Sequence, residues 1–232
     1  MKIYIDQKMI SRYAKIGKIL RWISIGLLAV ALFAVFSPNI LTNPTMINVY
    51  FGVMIVGVFI SSVGSHLTSR YGRSPRPDEL LDKAFKGLDD KFSILHYESS
   101  ISHLMVGPAG LWSLIPSYVD GVISYDKNKK IWVRKGGSFI NKFLSREAFG
   151  RPDKELMQNQ KDLQKMLKST AYEDKFVLKC AVILLNKNTV IEDAENESEI
   201  LILPFEKAKE KFRKLSKAQI EIPPELIKAL KD

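Results

Sequence analysis

The pattern of apolar and polar positions divides the chain sharply. From Trp22 to Ser69 there is no Asp, Glu, Lys or Arg, whereas both flanks are charge-rich. Such a run is long enough for two bilayer crossings of about 20 residues each. The first crossing is expected from about Trp22 through Phe36 towards Leu41, and the second from about Met46 to His66. Between them Ser37, Pro38, Asn39, Thr42, Asn43 and Pro44 supply turn chemistry, with two prolines that resist helix continuation. The competing reading is a buried helical hairpin of a soluble protein, but such helices keep a charged edge towards water, and this stretch has none. A cleaved signal peptide would need a shorter leader and a small-x-small cleavage site, and a second apolar segment would not follow so soon.

Beyond this stretch the periodicity changes. Tyr71–Pro77 reads as a linker rich in Arg, Ser, Gly and Pro. From Asp78 a helical pattern places Leu80, Leu81, Ala84, Phe85 and Leu88 on one face. Short runs of strand character follow at Phe92–Tyr97, Ile101–Val106, Leu111–Ile115 and Gly121–Tyr125, and Ile131–Arg134 returns as a hairpin partner across Asp126–Lys130. After a loop around Gly136–Gly150, Pro152–Leu167 reads as a helix with Leu156, Leu163, Met166 and Leu167 inward. Lys175–Leu185 reads as a strand buried on both faces. Glu192–Glu199 reads as a solvated acidic loop, Ile200–Leu203 as a strand, Pro204–Leu215 as a charged amphipathic helix, and a tail helix starts after Pro223 and Pro224.

The expected organisation is therefore a basic leader 1–21, a two-span hairpin 22–69, a linker 70–77, a domain 78–218 and a tail 219–232. The domain is α/β or α+β, with a mixed sheet and helices on its faces.

Charge changes this picture in one respect. The net charge is +10, but Lys2, Lys8, Arg12, Lys15, Lys18 and Arg21 precede the apolar run against Asp6 alone, and Arg70, Arg73 and Arg76 follow it. The loop between the spans carries no charge, so both termini are expected to be cytoplasmic. From Pro77 onward 26 Lys and Arg face 24 Asp and Glu, which is not the footprint of a nucleic-acid-binding domain. The lipid bilayer and a protein are the expected partners, with nucleic acid a weaker candidate. The single cysteine, Cys180, excludes an internal disulfide and fits a small core residue. His66, His96 and His103 stand at unrelated spacings, so no metal ligand set and no cofactor are implied. Trp112 and Trp132 at strand positions read as core aromatics.

The stretch Ser102-His103-Leu104-Met105-Val106-Gly107-Pro108-Ala109-Gly110 resembles the signature of the nuclease-related domain (NERD) family, whose fold belongs with the PD-(D/E)XK, or restriction-endonuclease-like, nucleases. The family shows an acidic helix and a strand reading roughly D-H-hydrophobic-hydrophobic-G-P-x-G. A second strand then carries E-x-K, ahead of a glycine turn. Here the helix has Asp78 and Glu79, the first strand has His103, Gly107, Pro108 and Gly110, and the glycine turn falls on Gly121. Gln158 and Gln160 lie in a helix before the long strand, as the family has them. Gly107 and Gly110 permit the tight reversal and Pro108 fixes one of its dihedrals.

The resemblance implies a divalent metal held by the Asp and the Glu, with the Lys assisting attack on a phosphate. At those positions the chain has Ser102, Ile115 and Ser117. None of these can replace a carboxylate on a hard cation, and Pro116 suggests an interrupted strand. No catalytic residue is expected where the family has them. Glu98 and Asp120, together with Glu79 and Asp126, are the acids that could have relocated, and each also reads as a turn residue or a solvated charge. Lys127, Lys129, Lys130, Arg134 and Lys135 read as a solvated edge. The resulting expectation is a membrane-anchored, catalytically silent binding or scaffolding module. The alternatives are a tethered metal-dependent nuclease with relocated acids, or a structural subunit of a membrane complex. Gly26, Ala29, Ala31, Ala34, Gly52, Gly57, Ser61 and Gly64 permit close helix approach within the spans.

Overall fold

A computed structural model of the protein describes residues 1–36, 43–129, 131–136, 149, 151–192 and 200–231. The chain forms two bodies, one of Met1–Asp6 with Pro77–Asp232 and the other of Gln7–Arg76.

The second body is a pair of antiparallel helices, α1 (Gln7–Ala34) and α2 (Pro44–Leu67), with a π-helical turn at Thr68–Gly72. At about 1.5 Å per residue, each exceeds the roughly 30 Å of a hydrocarbon core. Both are long and apolar enough to cross a membrane. Asn43 caps α2 by accepting the Thr45 amide at 3.0 Å, and Pro44 takes the first helical position, where its missing N–H has no cost. Along α1 the buried residues are Ile10, Gly17, Ser24 and Ala31, and along α2 they are Gly57 and Gly64. That seven-residue spacing keeps one seam between the helices. A Cβ at Gly64 would stand 2.9 Å from the Arg21 amide nitrogen, and one at Gly17 would stand 2.9 Å from Leu67 Cβ. Gly26 and Gly52, by contrast, face open space. Away from the seam, Trp22 (66% exposed), Phe33 (75%), Ile55 (69%) and Phe59 (69%) point outward.

The first body is a mixed sheet of six strands in the order β1-β2-β3-β4-β7-β9. Its strands are β1 (Lys2–Ile5), β2 (Ser93–His96), β3 (His103–Gly107), β4 (Gly110–Ser117), β7 (Leu178–Leu184) and β9 (Ile200–Pro204). The pairs β2/β3 and β3/β4 are antiparallel, whereas β1/β2, β4/β7 and β7/β9 are parallel. A second sheet joins β5 (Gly121–Asp126), β6 (Ile131–Lys135) and β8 (Thr189–Ile191) in the order β6-β5-β8. Helices α3 (Pro77–Phe85) and α5 (Phe205–Leu215) cover one face of the large sheet, where Leu81, Phe85 and Phe212 cluster with Ile94, Met105, Trp112 and Ile183. Helices α4 (Pro152–Leu167) and α6 (Pro224–Ala229) cover the other, bringing Leu156, Leu163 and Leu226 to Leu104, Leu111, Cys180 and Val182. The α/β class with a mixed sheet is therefore present. From Cys180 to Leu184 β7 is buried on both faces, as that apolar run requires, whereas Lys179 is exposed.

The ends of α3 and α5 are joined by charge. Lys209 donates to the Lys86 carbonyl at 3.0 Å and Arg213 to the Gly87 carbonyl at 2.8 Å, placing two cations at the negative end of α3. Gly87, at φ +84°, turns the chain out of the helix there.

Three features differ from expectation. The stretch 1–21 is not one leader: Lys2–Ile5 forms the edge strand β1, and α1 then runs from Gln7 into the apolar segment without a break. The strand and the helix seam place two different apolar periods within that one stretch. Strand β8 answers no run noted above, and it is three residues long. Pro116 does not interrupt β4, which continues to Ser117 opposite Leu184. The Ser117 carbonyl accepts from the amide of Leu185, just past the end of β7, so by alternation Pro116 points its missing N–H to the other side, beyond the first residue of β3. The expected turn at Ser37–Thr42, Lys130, and most of the loops 136–150 and 192–199 lie outside the described residues.

The seam makes a testable distinction. In thermal unfolding of the full chain in detergent, Gly64→Ala is expected to lower stability by about 1–3 kcal/mol, because backbone rather than a flexible side chain stands in the way. Gly52→Ala is expected to leave stability unchanged or to raise it by up to about 1 kcal/mol. Equal effects at both positions would show that this seam does not hold the helices together.

Candidate functional site

The first candidate is the set of positions singled out by the G-P-x-G turn. Gly107 and Gly110 pair as the last residues of β3 and β4, with Pro108 and Ala109 between them. Gly110 sits at φ +96°, and a Cβ on Gly107 would fall 2.5 Å from the Phe92 ring, so both glycines are required. The register runs Leu104↔Ser113, Met105↔Trp112 and Val106↔Leu111. Continued by two residues, it sets Ser102 opposite Ile115. By alternation Leu111, Ser113, Ile115 and Ser117 face α4, and Ser102 shares that face with Leu104 and Val106.

This face holds no carboxylate at the three family positions. Ile115 packs against the core cluster, Ser117 is buried and its Oγ accepts from the Val119 amide at 3.4 Å, and Ser102 accepts through its carbonyl from the Tyr97 amide at 2.9 Å. Asn159 of α4 donates to Ser113 Oγ at 2.8 Å. Gln160 donates to the Leu178 carbonyl at 3.4 Å, and Gln158 stays on the helix surface with Asp162.

Two of the possible relocated acids are engaged elsewhere. Glu98 pairs with Lys231 at 3.3 Å, and Lys231 also stands 3.8 Å over the Tyr4 ring. Asp120 pairs with Arg134 of β6, both largely shielded from water. Asp126 accepts from the Asn128 and Lys129 amides and so closes the β5–β6 turn. Glu79 lies half-buried in the first turn of α3, and Gly121 opens β5 at φ +95°. Among the described residues, no group of three His, Cys, Asp or Glu could hold a metal ion.

The second candidate, on the opposite face, escaped the sequence reading. His103 is not solitary: it lies directly across from His96 in the β2/β3 register, and the two Nδ1 atoms are 2.9 Å apart. His96 Nε2 is 3.1 Å from Asp82 Oδ1 on α3. The rings meet edge to face, and Tyr97 lies 4.9 Å from His103 in a similar arrangement. Both imidazoles are buried.

A carboxylate only accepts, so the hydrogen-bond network assigns the proton on His96 to Nε2. Between the two Nδ1 atoms one donates and the other accepts, so the rings share one proton. Two imidazole nitrogens bound to one tetrahedral zinc ion at about 2.1 Å would stand about 3.4 Å apart. The closer approach here is that of a shared proton. The chain Asp82–His96–His103 thus satisfies buried polar groups and fixes the β2/β3 register. Tyr97 supports it from a left-handed backbone at φ 59°, a conformation costly for an aromatic residue, which the ring contact helps to hold. The usable signal was two histidines flanking a short connection, at positions that a hairpin register would pair.

The chain matches no family model, no curated protein and no solved structure.

Three outcomes are expected, one from the histidine pair and two from the buried thiol of Cys180. His96→Leu should destabilise the full chain by about 1–3 kcal/mol, because His103 loses its hydrogen-bond partner while buried. Adding His103→Leu should recover part of that loss, and a double-mutant cycle with no coupling would refute the shared proton. Burial, with Glu155 adding to it, pushes the Cys180 thiol up to about 12 from 9.0. Its contribution to stability is therefore full below about pH 9 and is lost as pH rises towards 12. A maleimide at pH 7.5 is expected to leave Cys180 unmodified in the native protein and to label it promptly in denaturant; fast native labelling would contradict the burial.

Proposed function

We propose that the protein is a membrane-anchored module. In this reading α1 and α2 span the bilayer as a hairpin. The α/β body is a nuclease-related, PD-(D/E)XK-like domain that has lost its reaction and acts in the cytoplasm by binding a protein partner. The observation that carries the reading is the β3/β4 register: continued two residues past Leu104↔Ser113, it brings Ser102 and Ile115 to neighbouring positions, where the family's Asp and Glu would hold a metal. Ile115, half-buried, packs against the core cluster instead. The succession of acidic helix α3, the β3–β4 hairpin, the glutamine-bearing α4 and the long strand β7 parallel to β4 supports the family reading.

Membrane insertion is supported by the outward apolar side chains of both helices, since large exposed apolar surfaces need a cover. Orientation is supported by chain connectivity. Gly17 of α1 meets Leu67 and Thr68, whereas Gly57 meets Leu27 and Leu28, so Gln7 and Leu67 lie at the same end of the pair. Both junctions to the α/β body leave from that end, which is also the cationic one.

Topology is checked by cysteine labelling, for which a buried Cys180 gives a low background. In intact cells an impermeant maleimide is expected to label Thr42→Cys, and to label Lys217→Cys only after permeabilisation. Labelling of Lys217→Cys in intact cells would reverse the orientation.

The catalytic claim is tested on the full chain in detergent with single- and double-stranded DNA and RNA in Mg²⁺ or Mn²⁺. No cleavage is expected. The combined variant Ser102→Asp, Ile115→Glu, Ser117→Lys is expected to gain a Mn²⁺-dependent rise in melting temperature. Metal-dependent cutting by the unaltered chain, abolished by Glu79→Ala, would overturn the silent-domain reading. A folded variant that is blind to Mn²⁺ would count against the family reading.

A further inference from the structure

The positive charge of the chain is concentrated in a segment that contains no acid of its own. Gln7–Arg76 contains eight Lys and Arg and no Asp or Glu, which leaves 27 Lys and Arg against 25 Asp and Glu in the remainder. Five of the eight, Lys8, Arg12, Lys15, Lys18 and Arg21, lie in the first half of α1, and all five are exposed.

Their placement follows from the seam. Ile10, Gly17 and Ser24 turn towards α2, so the positions half a turn away face outward. Lys8, Arg12 and Lys15 recur there at spacings of four and three, and the same stripe continues through Ile19, Trp22, Gly26, Val30 and Phe33. Ile19 is 49% exposed, Trp22 66% and Val30 65%, and a Cβ on Gly26 would meet nothing within 4 Å. Read along the helix, one face passes from cations to an indole and then to a notched hydrocarbon surface. A phospholipid has the same order of chemistry from headgroup to acyl chain.

We infer that this side of α1 binds an anionic phospholipid. The phosphate lies beside Lys18, which sits between Lys15 on the outward stripe and Arg21 nearer the seam, and an acyl chain runs along Trp22, Gly26 and Val30. The inference rests on the membrane-spanning reading above and adds to it the charge of the lipid. Trp22 is of the residue type that settles at the headgroup boundary, which brings Arg21 and Lys18 to phosphate depth. Lys8 lies about 20 Å further along the axis, too far for the same contact. A zwitterionic lipid carries its own cation beside the phosphate, so the three side chains discriminate against it. A nucleic acid would meet the cations but leave Ile19 and Trp22 uncovered.

The test uses the full chain in a neutral detergent. Phosphatidylglycerol, phosphatidylserine or phosphatidylcholine is added, and retained lipid is read by native mass spectrometry alongside the melting temperature. Both anionic lipids are expected to be retained and to raise the melting temperature, with phosphatidylcholine doing neither. Each cation near an anionic headgroup contributes about fivefold in affinity, so Lys15→Gln, Lys18→Gln and Arg21→Gln together should cost roughly 100-fold. Lys8, Arg12, Arg70, Arg73 and Arg76 are left in place to preserve orientation. The matched variant Lys207→Gln, Lys211→Gln, Lys217→Gln on the exposed side of α5 and just beyond it should cost nothing.

Equal retention of phosphatidylcholine would overturn the inference, whether or not the α1 variant folds. So would an equal loss in the α5 variant, or displacement of phosphatidylglycerol by duplex DNA at the same phosphate concentration. A chain that washes off membranes in alkaline carbonate would instead refute the membrane-spanning reading itself.

Discussion

The molecule depends first on the pairing of Lys2–Ile5 with Ser93–His96. That parallel pairing is continued by the Lys2 amide donating to the Phe92 carbonyl at 2.8 Å and the Asp6 amide donating to the His96 carbonyl at 3.2 Å. Both flanks of Gln7–Arg76 consequently belong to one body. Whatever the intervening chain does, it must leave that body and return to it. A chain that crosses a bilayer under this constraint must cross an even number of times, and in hydrocarbon each crossing must satisfy its own backbone hydrogen bonds. Two antiparallel helices are the shortest solution. The glycine seam then has a second consequence: it turns a contact between distant residues into the closure of a much shorter effective loop, which reduces the entropy lost in forming β1/β2.

The same strand pair organises the polar interior. β2 receives β1 on one side and β3 on the other, and its last residue, His96, accepts from Asp6 through its carbonyl while its ring joins Asp82 to His103. A buried polar chain of this kind is stable only when every member is satisfied, and it penalises any slip of register, since a one-residue shift would turn one histidine into the opposite core. On the α4 face the demand is smaller. Ser113 is answered by Asn159, and apolar residues fill most of the remaining space. The two faces therefore differ in kind: one fixes register through a proton shared by two rings, the other through volume.

Legibility in the sequence followed the range of the interactions. Helix α4 spans the same residues that its periodicity and Pro152 indicate, because its start is local: Pro152 at the first position, and Asp153 held by both the Nε and Nη2 atoms of Arg151. The β3–β4 turn was legible for the same reason, since Gly107, Pro108 and Gly110 are read by sterics alone. β1 was not, because KIYI alternates no more convincingly than the helix that follows and its partner lies far along the chain. The His96–His103 contact was hidden for a related reason. It exists only once the register of β2 against β3 is known, and a residue offset of seven announces neither a helix face nor a metal motif. What the candidate site lacks was plain from Ser102, Ile115 and Ser117, whereas what replaced it needed coordinates.

A site that clusters carboxylates around a metal stores repulsion between them whenever the metal is absent, and that cost is borne by the fold. If the α/β body is of that kind, one of its acids has given way to Ile115, which is half-buried against the core cluster, and the Ser117 hydroxyl accepts from the Val119 amide. A Glu placed alone at position 115 would then bring a charge beside apolar neighbours with no cation and no second acid to answer it, a cost that precedes any gain from a metal. On that reading stability, and not chemistry alone, opposes a stepwise return of the reaction.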